Sequence, residues 1–206
     1  MTLRKPTIRF PTRRAVLAGA GFGAGAVFNL IAGVSGAQFF FDRGFNQIWF
    51  AILAVAASVA EGALGGFAVD GLGCACGFAI AFALRPAIHN DAADLVFALG
   101  AWLAPHHPDA AEFIRGAAGG AIAFGAAGAI GAAIAYRRTR AALAGLWTFG
   151  VGGAVKGVIA SRLIRSIMRG AISTNGWSAA MVGLGGPALA MFLAGAMFAL
   201  SLFKND

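Results

Sequence analysis

The sequence predicts an all-α polytopic membrane bundle of about six transmembrane helices, closely packed through glycine. Three observations carry this reading. Residues 15–41 contain no charged residue. At 1.5 Å per residue that run forms a helix of about 40 Å, longer than the ~30 Å hydrocarbon core of a bilayer. Further apolar runs follow at 48–69, 113–136, 141–155 and 177–203. Hydrophobic residues make up 59% of the 206, and charged residues only 12%. That leaves too little polar surface to cover a water-soluble domain.

The net charge is +8. The basic residues cluster at the ends of apolar runs, where they orient helices and meet anionic lipid headgroups. No nucleic-acid role follows from the charge. Residues 1–14 hold Arg4, Lys5, Arg9, Arg13 and Arg14 and no acid. This tail is expected in the cytoplasm, extended by Pro6 and Pro11. The Arg13-Arg14 pair before a Gly/Ala-rich apolar run also resembles a twin-arginine export signal, with Ser35-Gly36-Ala37 as a cleavage site. The membrane helices that follow favour a retained first span instead.

The transmembrane domain is expected over 15–203. Helix 1 covers 15–41 and turns at Asp42-Arg43-Gly44. Residues 47–84 read as two short helices, 47–63 and 71–84, with the turn somewhere in 64–70. Arg85-Pro86 is expected to end this unit. Residues 86–112, with Asp91, Asp94, Asp109 and Glu112, read as an extracytoplasmic loop carrying an interfacial helix at 92–103. Helix 4 covers 113–136 and ends at the basic cluster Arg137-Arg138-Thr139-Arg140. Helix 5 begins at Ala141. Its far part, 156–172, reads as a basic amphipathic segment, because Arg162, Arg165 and Arg169 fall on one helix face and suit lipid headgroups or a partner. A five-span alternative makes 141–172 a re-entrant or surface element. Helix 6 covers 177–203, bent or broken near Gly185-Gly186-Pro187.

Lipid removes the hydrophobic drive between helices, so close packing must replace it. Glycines four apart provide smooth faces at 19/23, 21/25, 62/66, 73/77, 116/120 and 153/157. Residues 113–136 carry the most glycines and are expected to form the central helix. Such faces also suit a homo-oligomer or membrane protein partners.

Glu61 is the leading candidate for function, since a carboxylate within a span is costly and such groups line ion or proton paths. The competing reading pairs it with Lys156. Asp70 is expected in a turn, and Lys156 at the start of the basic surface helix. Asn29 and Gln38 lie within helix 1 and suit interhelical hydrogen bonds or a transport path. Cys74 and Cys76 read as packing residues. His89, His106 and His107 read as loop histidines, and no metal site or cofactor is expected. Gly33-Val34-Ser35-Gly36 resembles the serine motif of rhomboid intramembrane proteases. That family also needs a histidine in a later span, and here the three histidines fall between 89 and 107. No catalytic set is assembled, so the chain is not expected to be an enzyme. The expectation is a small transporter or channel for an ion or small solute in a bacterial inner membrane. The alternative is a non-catalytic structural or assembly subunit of a larger membrane complex.

Overall fold

The computed structural model describes residues 12–42, 47–103, 108–168 and 176–203. The side chains of 12, 34–42, 47, 50, 90, 93, 97, 99–103, 108–109, 111–112, 161–168 and 176–182 lie outside that description. Every element among the described residues is a helix. Helix α1 is Thr12–Asp42. The helical stretch Gln47–Leu103 breaks at Asp70 and Gly71 into α2 (47–69) and α3 (72–103). Then come α4, Pro108–Tyr136, α5, Thr139–Met168, and α6, Gly176–Phe203.

The break at 70–71 is a hairpin turn. Gly71 has φ +75° and ψ −154°, a conformation that a side chain makes strained. The chain reverses there, so Gly62 lies against the Phe78 backbone and Gly66 against Cys74. A second tight reversal joins α4 to α5, with Arg137 at φ 50° and its N–H donating to the Ala133 carbonyl at 2.9 Å.

The glycine contacts give the whole arrangement. Gly21 and Gly25 of α1 meet Leu64, Ala68 and Glu61 of α2. Gly77 of α3 meets Gly131 of α4. Gly120 and Gly128 of α4 meet Gly153 and Gly145 of α5, and Gly152 of α5 meets Ala190 and Ala194 of α6. Gly195 of α6 returns to Ala18 and Phe22 of α1. In each pair residue numbers rise on one helix as they fall on the other. Six antiparallel helices therefore close into a ring in chain order. Gly73 aside, the four-apart glycines serve this internal packing, so they are not free stripes awaiting a partner. No single helix is central: α4 is one wall of the ring, packed on α3 and α5.

The ring is inverted relative to a soluble bundle. Its outer face carries large aliphatic side chains, including Leu72 at 74% exposure and Val151 at 65%. Its interior holds alanines, phenylalanines and a few charged groups. Water would not tolerate that outer face, and lipid would. Five helical stretches are long and apolar enough to cross a membrane, one of them the 51–96 hairpin, which is folded in two. The chain is thus a multi-pass membrane protein. The start of α1, with exposed Arg13 and Arg14, lies at the same end as exposed Arg137, Arg138 and Arg140. This is called the basic end below.

Three expectations need correction. Residues 86–103 are not a loop: α3 runs through Pro86 to Leu103. Proline removes only one backbone donor, whereas ending the helix within lipid would strand several groups. Residues 139–168 form one helix, long and apolar enough to span over 139–160, which removes the five-span alternative of a re-entrant or surface element at 141–172. Helix α6 passes through Pro187 without a break. Gly44 and Arg43 lie outside the described residues.

Candidate functional site

One helix face after another turns aromatic rings into the ring's interior. Phe22 of α1, Phe78 and Phe82 of α3, Phe124 of α4, Phe149 of α5 and Phe198 of α6 are all buried. Their centroids lie 4.5 Å apart for Phe22 and Phe149, 5.5 Å for Phe78 and Phe198, and 5.8 Å for Phe82 and Phe124. Such pairs add about 0.5–1.5 kcal/mol each beyond burial. Helix α2 contributes no ring to this stack; it contributes Ser58 and Glu61, both fully buried.

The polar groups gather on the side of the stack away from the basic end. Asn29 follows Phe22 on α1, Arg85 and His89 follow Phe78 and Phe82 on α3, and Lys156 follows Phe149 on α5. Lys156 Nζ donates to Glu61 Oε1 at 2.5 Å, with the two side chains 4% and 0% exposed. Such burial makes the pair interdependent: each charge is tolerable only beside the other. Glu61 Oε2 has no hydrogen-bond partner among the described residues.

Arg85 is held differently. Its Nη2 donates to Ser58 Oγ at 2.5 Å, and Asn29 Nδ2 approaches the same oxygen at 3.4 Å. Ser58 in turn donates to the Ala54 carbonyl at 2.6 Å. The hydroxyl orients the guanidinium but offers no compensating charge. Arg85 and Lys156 also share one aromatic ring, with Arg85 Cζ 4.5 Å and Lys156 Nζ 4.6 Å from the Phe124 centroid. Desolvated cation–π contacts of this kind are worth about 2 kcal/mol. A cavity of about 150 Å³ opens beside them, lined by Asn29, Gly33, Arg85, His89, Phe124 and Lys156, among others.

Of the residues singled out from the sequence, the structure brings together Glu61, Lys156 and Asn29. Lys156 does not begin a surface helix: it lies three and seven residues beyond Gly153 and Phe149, on the same inward face of α5. Asp70 is exposed in the α2–α3 turn at the basic end, away from the cluster. The side chains of Gln38, Ser35, Arg162 and Arg165 lie outside the described residues, as do Arg169, His106 and His107 altogether. His89 is half-buried within a helix, not in a loop. Cys74 is buried and accepts a 3.7 Å contact from the Tyr136 hydroxyl, while Cys76 is exposed. No group of metal-ligating residues is present among the described residues.

Arg85, His89 and Ser58 were missed from sequence. The signal was there: 74, 78, 82, 85 and 89 recur every three or four residues, the spacing of one helix face. Reading Pro86 as a stop cut that pattern short. The chain matches no family model, no curated protein and no solved structure.

Proposed function

We propose that this protein is a small transporter or channel of a bacterial inner membrane, passing an ion or small solute through the centre of the helix ring. The observation that carries the reading is the cavity of about 150 Å³ beside buried Lys156 and half-buried Arg85. Charged groups in the middle of membrane spans are expensive, and those that persist line cavities and pathways. The phenylalanine stack fills the path toward the basic end, so this arrangement is closed on that side, and passage requires those rings to move. The basic end faces the cytoplasm by the positive-inside rule.

Gly33 supplies the test. It lines the cavity, and a Cβ placed there meets nothing within 4 Å. Gly33→Phe should therefore obstruct the cavity without disturbing the packing. Wild-type protein in liposomes is expected to support flux of a small ion or solute, and Gly33→Phe to reduce it to background with its thermal stability retained. Equal flux through both proteins, or none through wild type under any gradient, refutes the reading.

A further inference from the structure

We propose that the cavity between Arg85 and Lys156 is a binding site for a small monovalent anion, of the size of chloride. This rests on the transport reading only for its purpose, since the site is argued from charge alone. Two cations, Arg85 and Lys156, line one cavity, and Glu61 is the one carboxylate paired with either among the described residues. Glu61 is engaged with Lys156. Arg85 hydrogen-bonds a neutral hydroxyl and packs on an aromatic ring, has Glu61 only as a neighbour shared with Lys156, and its Nε has no hydrogen-bond partner among the described residues. A guanidinium does not shed its proton, so the cluster carries one positive charge in excess. An uncompensated charge in a low-dielectric interior is costly, and a monovalent anion cancels it.

The geometry suits such a ligand. Arg85 supplies a guanidinium to the cavity wall, and Asn29 and His89 stand on the same wall with Lys156. The volume is several times the ~30 Å³ of one water molecule, enough for an anion with part of its hydration shell. The phenylalanine stack closes the site toward the basic end, so the anion enters from the opposite side.

The full-length protein in a neutral detergent is titrated with sodium chloride against sodium gluconate at fixed ionic strength, and its melting temperature is followed. A saturable rise is expected for wild type. Arg85→Gln should weaken the apparent chloride affinity about tenfold or more, because a full charge at contact distance is lost. Glu61→Gln should strengthen it, because the excess charge rises by one. Opposite signs in two variants of one cluster do not arise from misfolding. Arg138→Gln, exposed at the basic end, should respond like wild type. A wild-type melting temperature indifferent to chloride overturns the proposal and points to a neutral Lys156. So does a response that survives Arg85→Gln unchanged. Chloride binding without flux leaves the site standing and removes the transport reading. Cation flux without any chloride response does the reverse.

Discussion

Glu61→Gln should destabilise the folded protein by about 3–5 kcal/mol when chloride is replaced by gluconate, the usual cost of removing one partner from a buried ion pair. The substitution keeps the shape of the side chain and strands Lys156 beside Arg85, with no acid paired to either. Removing the stranded charge as well should restore most of the loss. The double variant Glu61→Gln/Lys156→Met is therefore expected to be more stable than Glu61→Gln alone, a non-additivity characteristic of residues in contact. Unfolding in detergent by heat or by sodium dodecyl sulfate titration measures both. A single variant as stable as wild type, or a double variant worse than the single, would contradict the buried pair.

The second large effect belongs to the α4–α5 interface. A Cβ on Gly120 would collide with the Gly153 backbone carbonyl, and Gly157 packs with equal closeness on Gly116. These are backbone-to-backbone approaches, so no flexible side chain can move aside. Gly120→Leu is expected to cost at least the ~1–3 kcal/mol usual for overpacking, and more if the helices separate. Gly73→Leu is the control, since a Cβ there meets open space, and it should fall within about 0.5 kcal/mol of wild type. The same unfolding measurement decides between them, and equal stability of the two variants would mean that α4 and α5 do not touch through glycine.

The sequence was most legible where lipid constrains it. Apolar length marked the spans at 15–41, 113–136 and 177–203, and the structure places helices over all three. The Asp70-Gly71 turn was visible as a pair of turn residues, although the reading placed the reversal anywhere in 64–70, because the flanking glycines 62, 65 and 66 imitate loop composition. They are packing residues, pressed on Phe78, Phe22 and Cys74. Pro86 misled for the opposite reason: it is a helix stop in water but one missing donor in a membrane helix. That error concealed Arg85 and His89. The partnership of Glu61 with Lys156 was one of two readings, and sequence alone could not choose. The two residues are 95 positions apart, and only the ring closure brings α2 and α5 face to face across the interior. The phenylalanine stack was illegible for a similar reason, since each helix except α2 gives it one or two rings and no local pattern marks them.

The central claim is that six antiparallel spans form the ring, with α2 and α3 as separate crossings. Cysteine labelling from each side of the membrane, in a variant freed of Cys74 and Cys76, tests it most directly. Single cysteines at Asp70 and at Thr139 should react from the same side, that of the basic end, because both positions are exposed at reversals there. A cysteine at Asp91, exposed on the far part of α3, should react from the other side. Labelling of Asp70 and Thr139 from opposite sides, or of Asp91 and Thr139 from the same side, would contradict the hairpin and with it the closed six-helix ring.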